Sequence, residues 1–411
     1  MVPRLKGLWC VLTTLALGLS LLYLWFTIFP GQVDPTAGQY FSAEQIDRGR
    51  AYSQGSRLCF ISSYLAQLSL LLWLVFSGRA LDLANWTEKW ARGNYWINRL
   101  LFSLLLWLFL RLLNLPFTLF SSYYWQHHWG FTTQTLGAWW LDYSKSGIMD
   151  LLVFAGGIML LFWLVKVFPG KWWLYSATCL SMFLVIQIFL APLLIMPLFN
   201  HFSPVQDQSI IAMVEELSNK AEIPVDQILV MDASRRTTKS NAYFAGLGHT
   251  KEIVLYDTLL ANHPQDQVKA VIAHEMAHWR QGHIVQGLVL YIIGTFLLCR
   301  LFFVLLNGIF PDLVGAPYPT HAFSMIVLLF YLISFISSPL QDYISQTMEK
   351  EADKVGVFLT NDIPAAVGLQ VNLAVKNASD ISPPPVIQWF SSHPSPLTRI
   401  ELIQNLTCAK P

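Results

Sequence analysis

The segment His274-Glu275-Met276-Ala277-His278 holds the residues whose types and spacing most directly indicate chemistry. On a helix, histidines four positions apart lie one above the other, and both imidazoles can bind one metal ion. Glu275 lies beside that face and can accept a proton from a water that the metal has acidified. The pattern therefore indicates a hydrolytic zinc site. The alternative is a buried polar cluster in which these side chains satisfy one another.

Hydrolytic zinc sites have three protein ligands and an open fourth position, so one more ligand is needed. The run Glu349-Lys350-Glu351-Ala352-Asp353 follows a stretch without Gly or Pro after Pro339, which predicts a helix. Glu349 and Asp353 then share one face, so Glu349 can bind the metal while Asp353 holds the far nitrogen of a ligand histidine. Glu351 is the rival ligand, and a solvated helix face is the alternative for the whole run.

Two further groups of residues could contribute to such a site. His393 and Arg399 could stabilise the negative charge of a tetrahedral intermediate or bind a peptide, although an ordinary surface also contains such residues. The run Asn241–Gly246 predicts a strand, which is either an edge that accepts an extended peptide or a structural hairpin strand. Five other histidines are interpreted as structural, namely His201, His249, His263, His283 and His321.

The elements that must position these residues are mostly membrane helices. Of the 411 residues, 54% are hydrophobic and 12% are charged, whereas soluble proteins are about one quarter charged. An apolar run of about 20 residues crosses a bilayer as a helix. Seven such runs are predicted, near 8–30, 59–77, 100–120, 148–168, 173–199, 284–306 and 322–340. The net charge of +1 argues against nucleic acid as a partner, because such proteins carry a basic face.

Two polar stretches, 200–283 and 341–411, follow the fifth and the seventh run. Because the sixth and seventh runs cross the membrane and return, both stretches lie on one side of it. The first stretch predicts a helix capped by Asp207, strands at 227–231, 241–247 and 252–256 with a turn at Gly246–Thr250, and a helix at 265–283. At 1.5 Å per helical residue, His278 and Glu349 lie within about 10–15 Å of the membrane surface.

Several segments together match one known pattern. They are His274–Trp279 with Gly282-His283, Glu349-x-x-Ala352-Asp353, Ser240–Gly246, Ile253–Leu260, and Ser392-His393-Pro394 with Arg399. They resemble the membrane gluzincins typified by the type I CaaX prenyl protease, from about Phe199 to Arg399 and more loosely over the N-terminal spans. The resemblance implies a mainly α membrane protein in which seven transmembrane helices enclose a chamber, capped by a zinc-metalloprotease domain with a small β-sheet.

The apolar and polar stretches divide the chain into four parts, and the resemblance implies a role for each site residue. Residues 1–199 form a membrane domain with five spans, 200–283 the zinc-protease domain, 284–340 spans six and seven, and 341–411 the C-terminal part of the zinc-protease domain. One Zn²⁺ per chain is bound by His274, His278 and Glu349, with Glu275 as base and Asp353 behind a ligand histidine. The residues implied to contact substrate or intermediate are His393, Arg399, Asn241, Ala242 and Tyr243.

The expected activity is that of a membrane-integrated zinc metalloendopeptidase. Its substrate is a peptide or protein reached from the membrane interface, prenylated or not. Eukaryotic members of the family remove the last three residues of prenylated CaaX proteins, and bacterial relatives are associated with membrane-protein quality control. A catalytically silent membrane scaffold is the alternative from another class. A transporter would need Gly- or Pro-interrupted spans in repeated halves, and the sequence has no such symmetry.

The side of the membrane that the zinc site faces stays open. Counting Lys and Arg in short loops, an N-inside orientation places eight inside and four outside, which favours a zinc domain on the outer side. The eukaryotic prenyl protease has its zinc domain in the cytosol. The final residues, Cys408-Ala409-Lys410-Pro411, contain no evident retrieval signal. A bacterial inner membrane is therefore favoured over the endoplasmic reticulum.

Overall fold

The computed structural model describes residues 3–246, 251–313 and 316–406. In these residues the helices are α1 (Pro3–Ile28), α2 (Ala43–Phe76), α3 (Arg79–Ala91), α4 (Tyr95–His128, with a π-helical turn at Phe120–Tyr124), α5 (Leu136–Val167), α6 (Trp172–Leu198), α7 (Gln208–Ala221), α8 (Asp257–Asn262), α9 (Gln265–Arg280), α10 (His283–Ile309), α11 (Ala322–Thr360), α12 (Ile363–Lys376), α13 (Pro385–Gln388) and α14 (Pro396–Gln404). The strands are β1 (Phe202–Pro204), β2 (Gln227–Met231), β3 (Ala242–Ala245) and β4 (Glu252–Tyr256).

Seven of these helices are long and apolar enough to cross a membrane, namely α1, α2, α4, α5, α6, α10 and α11. The seven predicted spans are thereby confirmed, but several helices extend well beyond their apolar runs. The second was predicted to start at 59, whereas α2 starts at Ala43. Ser42 and Gln45 form a capping box there, each side chain bonding the other's backbone N–H. Hydropathy marks only the apolar half of α2, so the predicted run covers the second half of this helix and not its polar first half.

The four strands form one mixed sheet in the order β1-β2-β4-β3. β2 and β4 are parallel, and β3 pairs antiparallel with β4 at the edge. The predicted strands 227–231 and 252–256 are confirmed, and the third is shorter than predicted. Its last residue, Leu247, and the predicted turn at Gly248, His249 and Thr250 lie outside the described residues. The sequence did not predict β1, because it has only three residues and includes Pro204.

Helix α9 runs through the hydrophobic core that both polar stretches build together. Its buried residues Ile272 and Met276 lie in one cluster with Leu217 of α7, Leu255 of β4 and Val355 of α11. Gly356 of α11 lies so close that a Cβ there would stand 3.2 Å from the backbone N and Cα atoms of His274. The helix with the histidine motif is therefore fixed against α11 by backbone-to-backbone packing. The predicted cap is also present, since Asp207 accepts a hydrogen bond from the Ser209 N–H at 2.8 Å.

The polar first half of α2 connects the membrane helices to the second polar stretch. Arg57 of α2 forms an ion pair with Asp380 at 2.7 Å. About two turns earlier, a Cβ at Gly49 would lie 2.1 Å from the carbonyl oxygen of Ser379. Only a residue without a side chain fits such an approach. The loop between α12 and α13 is thus packed directly on a membrane-spanning helix.

Candidate active site

The two histidines of the motif lie on the face of α9 that is turned away from the apolar core. The Nε2 atoms of His274 and His278 are 3.2 Å apart, and both imidazoles are only partly exposed. The opposite face carries the buried residues Val268, Ile272 and Met276 at helical spacing. The same periodicity that buries one side of α9 therefore presents both Nε2 atoms on the other.

Glu349 of α11 completes a three-residue cluster with these histidines. Its Oε2 lies 3.4 Å from Nε2 of His274, and its Oε1 lies 3.3 Å from Nε2 of His278. Tetrahedral zinc with bonds of about 2.0–2.1 Å would separate its ligand atoms by about 3.4 Å. Oε2 of Glu349 is also buried without a hydrogen-bond partner in the described part of the chain. Both observations fit a divalent metal ion bound by these three side chains.

Asp353 and Arg399 lie directly behind His274. Oδ1 of Asp353 is 3.0 Å from Nδ1 of His274, so this nitrogen donates its proton to Asp353 and Nε2 is the nitrogen that can bind a metal ion. Arg399 binds both carboxylate oxygens of Asp353, at 2.6 Å and 2.8 Å. Burial by itself lowers the pKa of His274, but the adjacent carboxylates of Asp353 and Glu349 outweigh it and raise this pKa to about 9. A pocket that stabilises positive charge on His274 also suits a cation.

His278 is oriented by a second relay, which the sequence interpretation missed. Its Nδ1 lies 3.0 Å from Nδ1 of His283, and Nε2 of His283 lies 3.3 Å from Oε2 of Glu351. The structure thus places Glu351, the rival ligand, behind His283 and not beside the two Nε2 atoms. Gly282, with φ of +68°, turns the chain so that α10 starts at His283. The signal in the sequence is Gly282 directly before His283, because a glycine after a helix commonly ends it and lets the chain turn back.

Glu275 and His393 line the cavity in front of the cluster. Burial raises the pKa of Glu275, against the opposing effect of the two neighbouring histidines. A carboxylate with a raised pKa is a better proton acceptor at neutral pH. Nε2 of His393 lies 3.5 Å from Oε1 of Glu349, and its side chain is 59% exposed. The two groups that sequence placed in chemical roles therefore stand within reach of a molecule in the cavity.

The cavity has a volume of about 470 Å³, and β3 forms one of its walls opposite α9. The carbonyl of Asn241 accepts a hydrogen bond from Tyr256, and Tyr243 is paired with Val254 of β4. In an antiparallel ladder these groups alternate, so the N–H and C=O groups of Ala242 and Phe244 point to the other edge. The structure thereby brings together the predicted strand residues Asn241, Ala242 and Tyr243 with the histidine motif.

Seven membrane-crossing helices and a motif of two histidines and two glutamates at one cavity define a membrane-embedded metalloprotease. Residues 204–407 match the model of peptidase family M48, and residues 27–201 match that of the CAAX prenyl protease N-terminal region with five membrane helices. The chain belongs to the M48 family of metalloproteases, in the CAAX prenyl protease 1 type.

Individual relatives agree with this assignment over most of the chain. CAAX prenyl protease 1 of Saccharomyces cerevisiae is 32% identical over 72% of this chain and 70% of that protein. An uncharacterized metalloprotease, YhfN of Bacillus subtilis, is 28% identical over 90% of this chain and 87% of the relative. The fold is similar to that in the crystal structure of S. mikatae Ste24p, with a TM-score of 0.84 at 24% identity, covering 98% of this chain and 99% of the other. The predicted fold class, membrane insertion and enzyme class are thereby confirmed.

Proposed function

We propose that the chain is a zinc endopeptidase with one Zn²⁺ bound by His274, His278 and Glu349. The observation that carries this proposal is the set of separations of 3.2–3.4 Å between their ligand atoms. When bound, zinc makes a water molecule more acidic and polarises the carbonyl of a peptide bond. The division into a five-span domain, a split zinc-protease domain and two further spans is part of the same proposal.

Glu275 is the proposed base. It accepts the proton of the attacking water and then gives that proton to the amine that leaves when the peptide bond breaks. Burial, which raises its pKa, supports both halves of this role. His393 is proposed to donate a hydrogen bond to the oxygen on which negative charge develops. Arg399 is proposed to keep Asp353, and thereby His274, in position. Its positive charge lies 3.8 Å from Oε2 of Glu349 and stabilises the negative charge of that carboxylate.

The substrate is proposed to bind as an extra strand on β3. The free N–H and C=O groups of Ala242 and Phe244 provide main-chain hydrogen bonds, which give affinity without dependence on sequence. Asn241 and Tyr243 help to form the strand and line the cavity beside it. A peptide in this position has its backbone between β3 and the face of α9 that carries Glu275.

The substrate class that we propose is a prenylated protein with a C-terminal CaaX sequence, as the name of the yeast relative indicates. The chain is proposed to reside in a bacterial inner membrane, which is supported by the long match to the Bacillus protein. A membrane-protein quality-control protease without prenyl specificity differs in one measurable property, since it would cleave peptides with and without a prenyl group equally well.

The test uses the purified full chain and a farnesylated CaaX peptide with its unprenylated twin. We expect one zinc per chain, inhibition by chelation, and loss of cleavage in Glu275→Gln with zinc content unchanged. Glu215→Gln, which alters an exposed acid on α7, is the matched control and should cleave normally. Undiminished cleavage by metal-loaded Glu275→Gln would refute the base, and absence of bound metal would support a silent scaffold. Equal cleavage of both peptides would support the quality-control alternative.

A further inference from the structure

A second cavity of about 510 Å³ adjoins the first behind His393. Asn241, His393 and Arg399 line both cavities. The second one lies beyond the N-terminal end of β3, where Lys239 and Ser240 precede the strand, and its other wall includes Arg57 of α2. A molecule that lies along β3 can therefore extend from the proposed zinc site into this space.

The second cavity is positively charged. Among the residues that the structure describes, its lining contains three cations, Arg57, Lys239 and Arg399, against one acid, Asp380. Arg57 is paired with Asp380, and Arg399 is paired with Asp353. Lys239 has no acidic partner in the described residues. A net positive charge in a cavity favours the binding of an anionic group of a ligand.

Lys239 is held in place although it has no acidic partner. Its Nζ donates a hydrogen bond to the hydroxyl of Tyr52 at 2.6 Å and lies 4.7 Å from the ring centroids of Tyr52 and Phe131. The Tyr52 hydroxyl in turn donates to Gln126 at 3.0 Å. An ammonium group has three N–H donors, so two remain available to an anion. Positioning by aromatic rings removes much of the entropic cost of ordering a lysine.

The direction of a peptide on β3 follows from the same arrangement. Antiparallel strand pairs are more common than parallel ones, and an antiparallel peptide on β3 runs from Ala245 toward Asn241. Its C-terminal end is then directed to Ser240 and Lys239. The side chain of Asn377 in this cavity also presents a buried oxygen without a hydrogen-bond partner in the described residues. That oxygen can accept an N–H of the peptide.

We propose that the second cavity binds the free α-carboxylate at the C-terminus of the substrate, with Lys239 as the specificity-determining residue. This inference rests on the proposed endopeptidase function and adds to it a means of selecting the bond. Three extended residues span about 10 Å. If the second cavity holds the C-terminal carboxylate of the peptide, the peptide bond that lies in front of Glu275 is always the same number of residues upstream of that carboxylate. The enzyme recognises the chain end and thereby cleaves near it.

The experiment compares two peptides of the same sequence and prenylation, one with a C-terminal carboxylate and one with a C-terminal amide. For the wild-type full chain we expect kcat/KM to be at least about tenfold higher for the acid, since a hydrogen bond between charged groups is worth that much. The difference should appear mainly in KM. In Lys239→Met the ratio of acid to amide should fall close to one, and Lys239→Arg should restore much of it.

Lys251→Met is the matched control. Lys251 also lies over an aromatic ring, that of Trp279 at 5.0 Å, but it precedes β4 at the opposite end of the β3–β4 pair. Its acid-to-amide ratio should equal that of the wild type. A wild-type ratio near one, or a ratio that Lys239→Met leaves unchanged, would overturn the proposal while cleavage itself still supports the endopeptidase. Loss of cleavage of both peptides in Lys239→Met, with zinc content and melting temperature unchanged, would also contradict it.

Discussion

Glu349 and Glu351 lie two positions apart on α11 and have different surroundings. Glu349 is buried against His274 and His278, whereas the side chain of Glu351 is 50% exposed and contacts His283. Two residues correspond to about 200° of rotation about a helix axis. Sequence alone left both acids open as ligands, because nothing in a run of charges indicates which face turns toward another helix.

Substitutions of Glu349 and Glu351 should have different effects on metal binding. We expect Glu349→Gln to lose most of its zinc, because the change removes one of the three proposed protein ligands. Glu351→Gln alters only the far end of the His278–His283 relay, and such outer contacts are worth about 10–100-fold in affinity. Zinc content after dialysis against a graded chelator series measures the difference. Zinc that Glu349→Gln retains as tightly as the wild type would show that Glu349 is not a ligand.

The other site residues show which contacts a sequence can predict. His274, Glu275 and His278 follow from spacing within one helix, and Asp353 follows from its i and i+4 relation to Glu349. The relay of His283 was missed, because Glu351 is 68 positions away in the chain. The role of Arg399 was predicted as substrate contact, and the structure adds its two hydrogen bonds to Asp353.

At the scale of elements, the site depends on how closely α9 and α11 approach. Their contact at Gly356 brings two backbones together beside His274. The sequence predicted both helices but gave no indication of this approach, since a glycine in a helix is by itself only unfavourable. The lengths of the central strands β2 and β4 were predictable from their apolar residues. The edge strands were predicted less well, since β3 is shorter than predicted and β1 was not predicted.

Gly356→Ala should move α11 away from α9 by a few tenths of an ångström. We expect a loss of about 1–3 kcal/mol in stability, because this overpacking exceeds the gain in helix propensity. Zinc affinity should fall with it, since Glu349 and His274 belong to the two separated helices. Gly287→Ala on α10 is the control, because no neighbouring atom of the described residues lies within 4 Å of its added Cβ. An unchanged melting temperature and zinc content in Gly356→Ala would contradict the close packing.

His263, between α8 and α9, should make stability depend on pH. Burial lowers its pKa below 6.5, the hydrogen bond to Gln267 opposes this, and the positive charge of Lys376 adds to it. Its Nε2 is buried without a partner in the described residues, so a proton there would be unsatisfied. The unfolded chain binds the proton more tightly, and the contribution of neutral His263 to stability is therefore present above pH 6.5 and lost as pH falls.

The measurement is the melting temperature of zinc-loaded protein between pH 8 and pH 5.5. We expect His263→Asn, which keeps a donor toward Gln267, to lose less stability on acidification than the wild type. His201→Asn alters an exposed histidine and should follow the wild-type curve. Parallel curves for wild type and His263→Asn would show that another group controls the acid transition.

For the molecule as a whole, the polar first half of α2 is the feature that was hardest to predict from the sequence. Hydropathy recognises the part of a helix that lies in lipid, and it left the first sixteen residues of α2 outside the predicted span. Those residues contain Gly49, Tyr52 and Arg57, which contact the 378–380 loop or Lys239. Seven spans and their parity were predictable, but the side of a membrane helix that a distant loop contacts was not.

Gly49→Ala should disturb the contact between the membrane helices and the loop that follows α12. The added Cβ would stand 2.1 Å from a backbone oxygen of Ser379, so we expect a loss at or above the upper end of about 1–3 kcal/mol. Gly18→Ala on α1 is the control, because its added Cβ has no neighbour within 4 Å in the part of the chain that the structure describes. Thermal unfolding in the same detergent measures both. A Gly49→Ala protein as stable as the control would contradict this contact.

Helix α11 is continuous for 39 residues from its membrane span to the metal cluster and beyond. One residue inserted between Pro339 and Glu349 would therefore turn the carboxylate by about 100° and shift it by about 1.5 Å. A loop would absorb such a change, but this helix transmits it. The length of the segment 340–348 is consequently part of the active site, even where its individual side chains are not. Substitutions can accumulate in this segment, whereas a single inserted or deleted residue changes the orientation of Glu349 relative to the membrane-spanning part of α11.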